Sequence, residues 1–313
     1  MSSVQPNSHF IDLKDIPFSV LRHILDTAKK WKIARQGLPK GSPDQGTPLH
    51  GYTLAMIFEK SSTRTRISFE IAMQQLGGKA IILQGDDMQL GRGETESDTA
   101  KVMSAYVDAI MIRANSHASV LELARAGSIP VINALTDHSH PCQLMADMLT
   151  LEEHLGDMRG RKIAWLGDGN NVATSLIEMA VKFEFDLALA CPEQYGPNPD
   201  VLAWSKTAGG AITVTSDPAV AANGAEAIFT DTWVSMGDGD EKARIQALEP
   251  FQVNAQIMAK AAPNAIFLHC LPAHRGEEVT TEVIDGPQSV IWDEAENRLH
   301  AQKAIIAWCL GKI

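Results

Sequence analysis

Residues 52–84 read YTLAMIFEKSSTRTRISFEIAMQQLGGKAIILQ, and the alternation inside this stretch decides the fold class. YTLAMIF (52–58) is a short apolar run of strand length, rich in β-formers. SFEIAMQQLG (68–77) carries apolar residues at helical spacing, with its helix beginning near Ile67, and Gly77-Gly78 ends it. KAIILQ (79–84) is a second apolar run. A strand, a helix and a strand joined this closely form a crossover unit, which makes the two strands parallel.

The pattern continues outward. ESDTAKVMSAY (96–106) and SVLELARAG (119–127) are helical, while DAIMIR (108–113) and IPVINAL (129–135) are strands. Upstream, Leu21, Ile24, Leu25 and Ala28 mark a helix, and GLPKGSPDQGTPLHG (37–51) is a Gly/Pro-rich surface loop. PCQLMADMLTLEEHL (141–155) is an unbroken helical pattern, after which RGRKIAWLGDGNN makes a fresh start. Further strands are expected at 162–167, 185–192, 211–216, 227–231, 265–270 and SVIWDEA (289–295). The expected architecture is α/β: two open parallel-sheet α/β domains joined by interdomain helices. The first spans 1–140, a linking helix covers 141–155, and the second spans 156–296. The amphipathic tail 297–313 is expected to pack back on the first domain.

Bulk composition excludes several classes. The chain has 313 residues, too many for one core and comfortable for two. Its 27 Lys plus Arg against 38 Asp plus Glu give a net charge of -11, which argues against nucleic acid and anionic membranes as partners. The four cysteines, Cys142, Cys191, Cys270 and Cys309, show no metal spacing and read as reduced thiols. No signal-peptide run opens MSSVQPNSHFIDLKDIP, so a cytoplasmic location is expected.

Chemistry gathers where strands end. Ser61-Ser62-Thr63-Arg64-Thr65-Arg66 sits at a strand-to-helix junction, where unpaired N–H groups and the helix dipole favour an anion. The hydroxyls and Arg64 complete a phosphate cradle, although a well-capped basic surface helix would look similar. Arg113 closes a strand, and His140-Pro141-Cys142-Gln143 opens a helix after another. Gly167-Asp168-Gly169-Asn170-Asn171-Val172 resembles a dinucleotide fingerprint with Val172 in the third glycine position. A nicotinamide dehydrogenase with Glu193 on the ribose is therefore a rival, and so is a ligand-binding protein without catalysis. Asp231 and Ser235, in DTWVSMG, suit the ammonium and polar groups of an amino acid. His269 and His274 lack a third ligand type beside them, so no metal is expected.

Taken together, S-T-R-T-R, H-P-x-Q, D-x-x-x-S-M-G and H-C-L-P, in this order between Phe58 and Arg298, resemble the ornithine carbamoyltransferase family. The first two motifs are shared with the aspartate carbamoyltransferases; the last two separate the ornithine enzymes. The resemblance implies that Ser62, Thr63, Arg64 and Thr65 bind carbamoyl phosphate, with Arg113, His140 and Gln143 at its carbamoyl end. It implies that Gln89 is donated into a neighbouring subunit's site of a homotrimer. Asn171, Asp231, Ser235 and Met236 would hold L-ornithine, Cys270 and Leu271 would lie near its attacking amine, and Arg298 near the reaction centre. It also places the active site in the interdomain cleft, with Arg113, His140, Cys270 and Arg298 as the catalytic residues. No cofactor is implied. The nearest rivals are carbamoyltransferases using aspartate, putrescine or an acylated ornithine; the acidic run DTWVSMGDGDE speaks against an aspartate site.

Overall fold

A short polar side chain stands before helix after helix in this chain and sets the points where strands hand over to helices. The computed structural model describes residues 8–85, 93–234, 239 and 241–313. The first elements are α1 (Phe18–Ala34), β1 (Thr53–Phe58), α2 (Thr63–Gln75), β2 (Lys79–Gln84) and α3 (Glu96–Tyr106). β3 (Ala109–Arg113), α4 (His117–Ala126), β4 (Val131–Leu135) and α5 (Pro141–Leu155) follow. Then come β5 (Lys162–Leu166), α6 (Asn171–Phe183), β6 (Asp186–Ala190), α7 (Pro199–Thr207), β7 (Ile212–Thr215), α8 (Pro218–Ala222) and β8 (Ala227–Thr230). The chain closes with α9 (Glu241–Leu248), α10 (Ala255–Met258), β9 (Ile266–His269), α11 (Thr281–Ile284) and α12 (Ile291–Cys309). Ser62, Thr95, Ser116, Asn170, Asn198, Asp217 and Asn254 each accept a first-turn N–H with the side chain. Each such cap is worth about 1 kcal/mol relative to alanine.

The chain divides into two units. Unit 1 runs to Ala146 and regains Arg298–Ile313; unit 2 is Asp147–Asn297. α5 carries the chain out of unit 1 and α12 returns it.

In unit 1 the strands are parallel in the order β2-β1-β3-β4. β1, β3 and β4 are buried runs, as strands covered on both faces must be, whereas the edge strand β2 exposes Lys79 and Ile81. Ala55, Ile57, Ile110, Ile112 and Val131 form a core with Ala100, Val120 and Leu123 of α3 and α4. The returning half of α12 is fixed in unit 1 by Trp308, edge-on to Phe10 at 6.3 Å, and by fully buried Lys303. Lys303 and Arg35 both pair with Asp44.

Unit 2 holds a parallel sheet in the order β7-β6-β5-β8-β9. Ala164, Leu166, Ile228 and Phe267 pack with Ala221, Val253, Val279 and Ile291. Asn297 Nδ2 donates to Thr150 Oγ1 at 2.9 Å and Glu153 Oε2 at 2.8 Å, tying the start of α12 to the end of α5.

Two sequence expectations need correction. α2 begins at Thr63 rather than near Ile67, because Ser62 caps it; the S-T-R-T-R run is thus the first helical turn itself. SVIWDEA is not a strand. Ser289 makes an isolated bridge to Phe267, and α12 starts at Ile291. Val290-Ile291-Trp292 mimics β-propensity locally, but buried Ile291, Glu294, Asn297, Arg298 and Ala301 follow helical spacing. Asp293 and Glu294 also suit the positive end of a helix.

Candidate active site

Both sheets share one topological feature. In unit 1 the chain moves from β1 to β2 on one side, then crosses to β3 on the other, so the connections after β1 and β3 diverge. In unit 2 the same divergence falls between β5 and β8. Such switch points leave a crevice at the strands' carboxyl ends, where ligands of open α/β sheets bind.

At the switch point of unit 1, Phe58 pairs in register with Arg113, and the loop after Phe58 enters α2. Ser62 Oγ accepts from the Thr65 N–H at 3.3 Å and donates to Thr65 Oγ1 at 3.0 Å. The N–H groups of Thr63 and Arg64 have no intrahelical partner by the geometry of a first turn, so they face an incoming anion with the dipole behind them. Arg298, 5% exposed, reaches from α12 and donates through Nη2 to Thr65 Oγ1 at 2.9 Å and through Nη1 to Gln143 Oε1. Thr65 Oγ1 accepts both Ser62 and Arg298, so its own hydrogen points away from them, ready for a ligand oxygen.

His140 stands just before α5 and is 3% exposed. Burial, then Arg298 and Arg113, hold its imidazole well below the usual histidine range, so it is neutral at physiological pH. A neutral imidazole beside two guanidiniums can polarise a carbonyl without adding a third charge. The loop before it is braced: Ser139 Oγ donates to Asp12 Oδ1 at 2.6 Å, Asn133 Nδ2 donates to Ser139 Oγ at 2.9 Å, and the His138 and Ser139 N–H groups meet Thr136 Oγ1. Unit 1 therefore brings together Ser62, Thr63, Arg64, Thr65, Arg113, His140, Gln143 and Arg298.

In unit 2, Asp231 follows β8 and faces the loop after β5. Asn170 Nδ2 donates to Asp231 Oδ2 at 2.9 Å, while Asn170 Oδ1 caps α6 through the N–H groups of Val172 and Ala173. The Cys270 thiol, after β9, donates to Asp231 Oδ1 at 3.0 Å. Desolvation first, then the Asp231 charge, push that thiol well above its ordinary value, so it is no nucleophile at neutral pH. Leu271 adopts a left-handed conformation, φ 58°, which costs a non-glycine residue about 1–3 kcal/mol. Its N–H donates to His269 Nδ1 at 2.9 Å. Asn171 opens α6, partly exposed. Gln89, Ser235 and Met236 lie outside the described residues.

Asn170 braces Asp231 with the amide that the turn GDGNNV offers to a polar partner. One further contributor carries no sequence signal. Arg244 of α9 donates to Trp233 O at 2.9 Å, pairs with Asp168 and lies 4.5 Å over the Tyr195 ring, joining the loops after β5, β6 and β8. Nothing local marks an arginine inside a helix for that task.

The dinucleotide alternative fails on geometry. A fingerprint's second glycine lets a pyrophosphate approach the backbone. Here a Cβ on Gly169 would meet Gly196 C and Pro197 N at 2.4 Å, and the Gly169 N–H already donates to Tyr195 O at 2.8 Å. The chain's own loop fills that space. Among the described residues of unit 2, Asp231, His269 and Cys270 offer ligand atoms within 4.8 Å of one another, as do His274, Glu277 and Glu278. In the first group both ring nitrogens of His269 are engaged, Nδ1 by Leu271 and Nε2 by Glu278 at 3.0 Å, which leaves no lone pair for a metal.

Two family models match the chain, one after the other. The carbamoyl phosphate-binding domain of the aspartate/ornithine carbamoyltransferases matches residues 8–153, and the Asp/Orn-binding domain matches 159–309. A protein from Rhizorhabdus wittichii named ornithine carbamoyltransferase is 56% identical over 304 residues, covering 97% of this chain and 98% of that one. One of the same name from Brucella abortus is 58% identical over 302 residues, covering 96% and 95%. The solved ornithine carbamoyltransferase of Pyrococcus furiosus has a TM-score of 0.92 at 47% identity, with both chains covered in full.

Proposed function

The chain belongs to the aspartate/ornithine carbamoyltransferase family, and from that premise we propose that it is an ornithine carbamoyltransferase. It converts carbamoyl phosphate and L-ornithine to L-citrulline and phosphate, a step of arginine biosynthesis. The observation that carries the carbamoyl phosphate half is the Arg298 bridge between Thr65 and Gln143 beside neutral His140. The acceptor half rests on Asp231, a carboxylate at the unit 2 switch point suited to an ammonium.

Phosphate is taken by the α2 N-terminus with Ser62, Thr63, Arg64 and Thr65. The carbamoyl group meets Arg113, His140, Gln143 and Arg298. The α-amino and α-carboxylate groups of ornithine fall to Asn171, Asp231, Ser235 and Met236, and its side-chain amine lies near Cys270 and Leu271. The neutral amine attacks the carbamoyl carbon. A C–N bond forms and the carbonyl oxygen gains negative charge; the carbonyl then re-forms, the C–O bond to phosphate breaks, and the amine's proton passes to the departing phosphate. Arg113, His140 and the Thr65 hydroxyl stabilise the oxyanion, each donor worth about 3 kcal/mol. The free amine has a pKa of about 10, so the rate rises with pH through neutrality. The working form is a cytoplasmic homotrimer in which Gln89 serves a neighbouring subunit's site.

The test offers carbamoyl phosphate with ornithine, putrescine, aspartate or N-acetylornithine separately and measures ureido product and phosphate. Turnover with ornithine alone is expected. Turnover with another acceptor overturns the reading of unit 2, and none with any acceptor overturns both halves.

A further inference from the structure

Two buried side chains behind the Cys270–Leu271 turn take part in no step above. His269 is 1% exposed and Glu278 is fully buried. The Leu271 N–H donates to His269 Nδ1, so that nitrogen is an acceptor and the ring proton resides on Nε2. Nε2 donates to Glu278 Oε1 at 3.0 Å, and the same oxygen accepts the His274 N–H at 2.6 Å. One carboxyl oxygen thus ties both ends of the segment 269–274. Glu278 is itself held: its backbone carbonyl accepts from Val253 N at 2.9 Å, and Thr280 N donates to Val253 O at 3.0 Å. From the other side, Glu294 Oε2 accepts the His269 N–H at 2.8 Å.

This clamp encloses the strained Leu271 turn. Without it, nothing in the local sequence favours φ 58° for a leucine, and relaxation to negative φ redirects the Leu271 N–H and shifts Cys270 off Asp231. We propose that Glu278 is a positioning residue for the acceptor site: through His269 and the His274 N–H it fixes the turn that presents Cys270 and Leu271 beside Asp231. The inference rests on the assignment of these residues to ornithine in the proposed function.

Three variants separate this role from bulk stability. Glu278→Gln keeps an oxygen at the same reach and is expected to stay close to wild type. Glu278→Ala removes the clamp. Its ornithine KM is expected to rise about tenfold or more, with the carbamoyl phosphate KM within about twofold, because the phosphate residues lie in unit 1. Site-resolved alkylation of the native enzyme by iodoacetamide should accelerate at Cys270 and stay unchanged at Cys142, Cys191 and Cys309. Unchanged ornithine KM, both KM values rising together, or all four cysteines accelerating would overturn the proposal. Where Glu278→Ala yields no folded protein, Glu278→Asp decides: one methylene shorter, it cannot reach both donors, and its ornithine KM should exceed that of Glu278→Gln. The reverse order makes charge rather than reach the property that matters and sinks the idea. A wild-type chain inactive with ornithine refutes the functional reading alone, since the alkylation pattern reports the clamp without turnover.

Discussion

Acidification should weaken this fold through His140, up to a ceiling that its titration in the unfolded chain sets. The imidazole is 3% exposed and kept neutral by burial and by Arg298 and Arg113. In the unfolded chain it titrates near 6.5. Below that pH the unfolded state binds a proton that the folded state refuses, so stability falls as pH drops through 6.5. The loss has a ceiling of RT ln(1 + 10^(6.5 − pH)), set by the unfolded chain alone: about 1.4 kcal/mol at pH 5.5 and about 2 kcal/mol at pH 5.0, against almost nothing at pH 7.5. The assay is urea unfolding of wild type and His140→Asn at pH 7.5 and 5.0, at one fixed protein concentration because assembly contributes to apparent stability. His9 and His138, also lowered by burial, remain in both proteins and cancel in the comparison. Wild type should lose more than the variant on acidification, by up to about 2 kcal/mol. Equal losses would show that His140 takes up its proton in the folded state, and the picture of a neutral carbonyl-polarising imidazole would be abandoned.

Three further outcomes follow from contacts elsewhere. Asp44→Asn strips the shared partner from Arg35 and fully buried Lys303, so a stability loss of about 3 kcal/mol is expected in urea; less than about 1 would mean the cluster is solvated. Arg298→Lys cannot span both Thr65 Oγ1 and Gln143 Oε1, so kcat/KM for carbamoyl phosphate should drop about 100-fold; an unchanged value would remove Arg298 from the site. Gly169→Ala drives a Cβ into the Gly196–Pro197 backbone; calorimetry should show a melting temperature lower by about 5 °C, and an unchanged value would mean the two loops separate freely.

Periods of 3.6 and 2 residues, turn residues and caps are properties of near neighbours, and they were legible in the chain. They delivered strand–helix alternation, the helix 141–155, the positions of Arg113, Asp231 and Cys270 at strand ends, and those of Thr65 and His140 at helix starts. The four spaced motifs pointed to a family because each marks a separate strand terminus. Local pattern misled where tertiary packing overrode it: Val290-Ile291-Trp292 has strand propensity, yet the buried faces of Ile291, Glu294 and Asn297 commit it to α12. Strand order was beyond sequence, because β1 lies between β2 and β3, and β5 between β6 and β8, only through non-local packing. Those orders create the two switch points. Contacts such as Arg298 with Thr65, 233 positions apart, or Arg244 with Asp168 leave no periodic trace. The sequence by itself determined which side chains reach the ends of strands, since period and capping act over a few residues. Only the tertiary structure decided which of those ends meet, since pairing energy comes from surfaces far apart along the chain.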